Sequence, residues 1–174
     1  MRSEVASEPK LTVATVERRL VSELEPLGFV PAKGRVLKLL KAINDDTEIF
    51  LYPGAMRSGA VVRVDPVMGV DNVTLRRMLL GADRQRWKGS YSVCHAYLGI
   101  LASWGNFYLR TSAELDRAVA QTVKSVIEIG LPVMSEFDSL DKVRRLFRDE
   151  IARTKKAKVV VLFAEQKLAQ IERH

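Results

Sequence analysis

The apolar residues of this chain change period twice, and that change most restricts what the chain can fold into. Over residues 10–25, Val13, Val16, Leu20 and Leu24, followed by Leu27, recur at helical spacing, with Glu17, Arg18, Arg19 and Glu23 on the other side. Pro26 and Gly28 end that helix. The chain then reads mostly as strands through residue 109 and looks all-helical from Thr111 onward. Such segregated blocks predict an α+β fold rather than a parallel, doubly wound sheet. The expected architecture is an N-terminal helix, an antiparallel β-meander of about five strands, and C-terminal helices packed on one sheet face.

Within the middle block, residues 35–43 and 47–52 are β-prone runs around Asn44-Asp45-Asp46, a good turn sequence. Pro53-Gly54 and Ser58-Gly59 bracket a loop. Residues 60–68 alternate, with Val62 and Val64 facing one way and Arg63 and Asp65 the other, as in a half-buried strand. Asp71-Asn72 precede an expected short helix over 73–80, basic on its exposed side. The fourth strand is expected over 91–100, and Ser103-Trp104-Gly105-Asn106 turns the chain into a short fifth strand, 107–109. Thr111-Ser112-Ala113-Glu114 fits a capping box opening a helix that bears Leu115, Val119, Val123, Val126 and Ile127 on one face. Gly130 and Pro132 are expected to stop it, and Asp138 or Ser139 to cap the next helix, with Leu140, Val143, Phe147 and Ile151. Length makes 157–172 a last helix, although the run 159–163 fits a short strand equally by period. Residues 1–9 are polar and aperiodic, which predicts a flexible tail ahead of a single α+β domain over 10–174.

Composition narrows the class. The 174 residues are 47% hydrophobic and 28% charged, as in ordinary globular proteins. One cysteine excludes an internal disulfide and any cysteine-rich zinc site, and suits a reducing compartment. The N-terminus lacks the apolar stretch of a secretory signal, and no apolar run approaches membrane-helix length, so a cytoplasmic location with no membrane partner is expected. The net charge of +7 raises the prospect of an acidic partner.

Cys94 and His95 are the only cysteine and the only internal histidine. Strand alternation separates them: Cys94 shares a face with Ser92, Ala96, Leu98 and Ile100, and His95 with Tyr91, Val93 and Tyr97. They therefore cannot form a dyad, and Cys94 reads as a small core residue. Tyr91, His95 and Tyr97 form a candidate binding face, with an ordinary half-exposed sheet face as the plain alternative. Asp45, Asp46 and Glu48 cluster, but a turn favours Asp for backbone reasons, and no metal or cofactor is expected. Asp65 and Asp71 flank a loop and are conceivable acid–base carboxylates. There is no P-loop, dinucleotide fingerprint or nucleophile elbow, and no catalytic set assembles.

Two basic clusters remain. Arg76, Arg77, Arg84, Arg86 and Lys88 surround Trp87, which suits phosphate contact and base stacking. The second contains Lys142, Arg144, Arg145, Arg148, Arg153, Lys155, Lys156 and Lys158. A solvated helix face, with Arg145 and Asp149 as i,i+4 partners, accounts for much of that charge. No helix-turn-helix, zinc-finger or RRM-like motif accompanies it.

Two stretches carry a family resemblance. One is LVSELEPLGFVPAKGRVLKLLKA, a helix ending in Leu24-Glu25-Pro26-Leu27-Gly28-Phe29 and followed by a strand. The other is WGNFYLRTSAELDRAVAQTVKSVIEIGLPVMSEFDSLDKVRRLF, a Trp turn, a capped helix, a Gly-Leu-Pro break and a Phe-Asp-Ser-Leu helix start. Together they resemble small bacterial α+β domains of unknown function, some of which are immunity proteins beside polymorphic toxins. That resemblance covers about half the chain and brings no catalytic residues. It implies a non-enzymatic protein-binding domain that inhibits a cognate toxin. Immunity proteins are often acidic, so a basic chain would need an acidic or non-nuclease toxin. The alternatives are a nucleic-acid-binding accessory protein using 76–88 and 142–158, and a small-ligand binder or enzyme using the Tyr91/His95/Tyr97 face.

Overall fold

A computed structural model of the chain describes residues 11–72, 74, 92–139, 141, 142, 144, 145, 148 and 149. The fold is α+β, with eight strands in two antiparallel sheets among the described residues. Helix α1 (Val13–Leu24) starts where the Thr12 hydroxyl accepts the Thr15 N–H at 3.1 Å, three residues inside the expected start. Val16, Leu20 and Leu24 form its buried stripe, the spacing the sequence predicts. A 3-10 turn, Glu25–Leu27, follows, with Pro26 near its start and left-handed Gly28 (φ 86°) at its end.

The strands are β1 (Val30–Pro31), β2 (Leu39–Ala42), β3 (Thr47–Tyr52), β4 (Met56–Ser58), β5 (Val61–Val64), β6 (Val67–Asn72), β7 (Ser92–Tyr97) and β8 (Phe107–Leu109). One sheet has the order β1-β2-β3-β6-β7 and the other β4-β5-β8. Helix α2 (Leu98–Leu101) precedes β8, and α3 (Ser112–Ser125) follows it. A π turn, Val126–Gly130, leads into α4 (Leu131–Ser135).

Four expectations are corrected. The run over 60–68 is two strands, because Pro66 has no N–H for a ladder and restricts Asp65 before it. The expected strand over 91–100 ends at Tyr97, and Leu98 opens a helical turn, donating its N–H to the Pro66 carbonyl at 2.7 Å. Leu98 is buried and Ile100 exposed, and neither extends the strand face expected over 92–100. The bracket 53–59 is not only loop, since β4 pairs with β5 from Met56↔Arg63 to Ser58↔Val61. Gly130 does not stop the chain's helical course, which continues through Pro132 to Ser135. The tail 1–9, the helix over 73–80 apart from helical Thr74, and the helix over 157–172 lie outside the described residues.

The chain divides into two compact units. The first comprises residues 1–40, 51–68 and 96–130. Its core joins Val16, Leu20 and Leu24 of α1 with Phe29, Val62, Val64, Met68, Leu98, Leu109, Leu115 and Val119. Helices α1 and α3 pack together there, and Arg19 reaches Asp116 at 3.7 Å. The second comprises 41–50, 69–95 and 131–174, with Ile49, Phe50, Val70 and Met134 buried. In it the Asn44 side chain caps its own turn by accepting the Asp46 N–H at 3.0 Å and donates to the Asp138 carbonyl at 2.8 Å. Buried Thr47 donates to the same carbonyl at 3.2 Å and accepts from Asn72.

Gly54 decides how closely the first unit can pack. It has φ 62°, and a Cβ there would lie 2.0 Å from the Asp65 carbonyl oxygen. Gly54→Ala should therefore lose about 3 kcal/mol or more, from the left-handed backbone and a clash with main chain that cannot rotate away. Urea denaturation of the variant beside Gly59→Ala checks this, because Gly59 has a similar φ and nothing within 4 Å.

Candidate functional site

One concavity in the first unit is built from a turn, a strand and a helix. The Gly99 carbonyl accepts the Trp104 N–H at 2.9 Å and the Gly105 N–H at 3.3 Å. Only glycine fits at 99, since a Cβ would sit 2.1 Å from the Gly105 carbonyl oxygen. Ser103 and Gly105 take positive φ, and the turn sets the Trp104 ring on Phe107, centroids 4.4 Å apart and planes 27° from parallel. Trp104 Nε1 then donates to Ser125 Oγ of α3 at 2.9 Å. Gln121 Nε2 donates to the same oxygen at 3.4 Å. Behind β8, Arg63 pairs with Asp65 at 2.9 Å. Asn106, its amide oriented to satisfy both groups, donates to Asp65 at 2.9 Å and accepts from Arg63 at 2.9 Å.

Helix α3 is fixed at its start by the expected capping box. Glu114 N–H donates to Thr111 Oγ1 at 3.2 Å, and Glu114 Oε2 accepts the backbone N–H groups of Arg110 and Thr111. Those backbone donors, Arg110 first and Thr111 second, hold the Glu114 carboxyl below the ordinary glutamate range; desolvation opposes them less strongly, and the charges of Arg110 and Arg117 add the smallest effects.

The result is an open groove of about 690 Å³. Trp104, Phe107 and Tyr108 line one side, and Arg117, Gln121 and Lys124 the other. Tyr108 is 56% exposed, so the groove presents aromatic surface to solvent. Among its described lining residues Glu114 is the one carboxylate, already engaged by backbone N–H groups. Aromatic faces, polar tips and cations suit binding; no nucleophile stands beside a base in this lining.

The sequence-derived candidates fall elsewhere. His95 is exposed and Tyr97 is 46% exposed, neither lines this groove, and Tyr91 lies outside the described residues. Arg76, Arg77, Arg84, Arg86, Trp87 and Lys88 also lie outside them. In the second cluster Arg144 pairs with Asp141 at 3.0 Å and Lys142 with Asp138 at 3.0 Å, while Arg145 and Arg148 are exposed. Asp65 is the partner of Arg63, and Asp71 is buried within β6. Asp45 and Asp46 line a second, polar hollow of about 390 Å³ with Asn44, Asn72, Thr74 and Asp138, where Thr74 donates to Asp46 at 3.0 Å. Among the described residues no group of three or more His, Cys, Asp or Glu could hold a metal, and no helix is long and apolar enough to cross a membrane.

Sequence reasoning took Trp104 as a turn residue and gave Phe107 and Tyr108 only a strand. The available signal was three aromatics within the five residues Trp104-Gly105-Asn106-Phe107-Tyr108, directly ahead of a capped helix. Compared with known proteins, the chain matches no family model, no curated protein and no solved structure. The resemblance to immunity-like domains rests on the quoted residues alone.

Three consequences are measurable. Thr111→Ala should lower stability by about 1 kcal/mol through loss of the cap. Glu114 has a folded-state pKa below its unfolded one, so its contribution is present above the ordinary glutamate range and is lost as pH falls through the lowered value. Stability followed between pH 7 and 3 should thus fall less steeply in Glu114→Gln than in the parent. Ser125→Ala leaves the Trp104 indole N–H without its acceptor and should cost about 1–3 kcal/mol, read by thermal unfolding with a shift in tryptophan emission.

Proposed function

We propose that this protein is a non-enzymatic protein-binding domain whose contact surface is the groove between β8 and α3. One observation carries the reading: a concave surface with exposed Tyr108 beside the Trp104–Phe107 stack, rimmed by Arg117 and Lys124. Tyr, Trp and Arg are the residues that dominate binding energy at protein interfaces, because they combine large area with directional polar groups. The stack and the bond from Trp104 to Ser125 hold the surface in shape before binding, which lowers the ordering cost of association. Inhibition of a cognate toxin is the narrower form of this reading, and the basic rim would then face an acidic patch of that toxin.

Nucleic-acid binding is supported less well, since Arg144 and Lys142 are paired with the neighbouring carboxylates of Asp141 and Asp138. The reading is tested with a photo-crosslinking amino acid at Tyr108 and, separately, at exposed Met56 of β4. In the source cells a discrete protein adduct is expected from position 108 and not from 56. No adduct at 108, or equal adducts at both positions, rejects it.

A further inference from the structure

The groove follows a sheet edge. Among the described residues strand β8 is last in the order β4-β5-β8, with its ladder made to β5 through Val62↔Leu109, Arg63↔Tyr108 and Val64↔Phe107. Successive strand residues point to opposite faces, yet Phe107, Tyr108 and Leu109 all line the groove. A hollow lying over one face would meet alternate residues. Lining by all three residues fits a hollow that reaches the outer side of β8, and an edge strand offers there the backbone N–H and C=O groups that its own sheet leaves over. The facing wall is one stripe of α3, with Glu114, Arg117, Gln121 and Lys124 in turn. From Glu114 to Lys124 that stripe rises about 15 Å, the reach of roughly four or five extended residues.

We infer that the groove takes an extended peptide segment of a partner protein, added as a further strand on β8, with an apolar side chain on the Trp104–Phe107 stack and a carboxylate facing Arg117 and Lys124. The charge pattern selects the acidic peptide. Arg117 makes no ion pair among the described residues. Lys124 reaches Glu128 only at 4.0 Å, with both side chains more than half exposed, which makes a weak pair. The net charge of +7 adds long-range attraction for an acidic partner. Main-chain bonds supply affinity in strand addition, while pockets for alternate side chains supply selectivity. This inference rests on the protein-binding reading and specifies the backbone form and the charge of what is bound.

The experiment uses the full chain against a display library of random hexapeptides, followed by synthetic copies of the enriched sequences carrying backbone N-methyl groups at odd or at even positions. Strand addition predicts enrichment of acidic sequences with alternating apolar residues. It also predicts that one methylation register weakens binding roughly tenfold or more while the other is tolerated, because alternate residues of an added strand donate to the edge. Arg117→Ala with Lys124→Ala should weaken binding and flatten its salt dependence. Tolerance of both registers, equal loss in both, or a library with no acidic enrichment overturns the inference. An adduct at position 108 combined with tolerated methylation leaves the protein-binding reading standing and removes strand addition alone. Absence of the adduct removes both.

Discussion

The Asp65-Pro66 break is the constraint on which the first unit depends. Without an N–H at Pro66 the alternating run cannot continue as one strand, so β5 stays with β4 and β8 while β6 enters the larger sheet. The groups around the break are each used. The Asp65 carbonyl lies against Gly54, and its carboxylate holds Arg63 and Asn106. The Pro66 carbonyl accepts the Leu98 N–H that opens α2. From α2 the Gly99 carbonyl carries the turn to Trp104, and Trp104 is tied to Ser125 of α3. A single backbone break thus fixes both walls of the groove.

The groove in turn shows why an aromatic turn and a capped helix belong together. A stacked Trp–Phe pair in an open concavity would be free to collapse without a polar anchor, and the indole N–H supplies one at 2.9 Å. The anchor is useful only if α3 is rigid at this position. Its first turn is held by reciprocal bonds between Thr111 and Glu114, and its buried stripe, Leu115, Ala118, Val119 and Thr122, packs inward. That leaves Arg117, Gln121 and Lys124 on the groove side.

Local signals were readable wherever one residue type forces one backbone outcome. The stripe of α1, the Asn44-Asp45-Asp46 turn, the strand Phe107–Leu109 and the capping box at Thr111 all follow from spacing or from a side chain bonding its own backbone. Misreadings came where tertiary context overrides period. Tyr91 to Ile100 is β-prone throughout, yet the Pro66 carbonyl draws Leu98 into a helical turn. Gly130 looks like a stop, but its missing side chain makes room for Met68 Sδ, which a Cβ would approach to 2.5 Å.

The sequence by itself determined an α+β chain that opens with a helix, because hydrophobic period is a question of residues near in the chain. Only tertiary structure decided that the described strands divide into two sheets, that β8 is last of the described strands in one of them, and that Trp104, Tyr108 and Lys124 share a groove. Those outcomes depend on which backbone groups remain unpaired after long-range pairing is complete. Hydrophobic period carries no information about that.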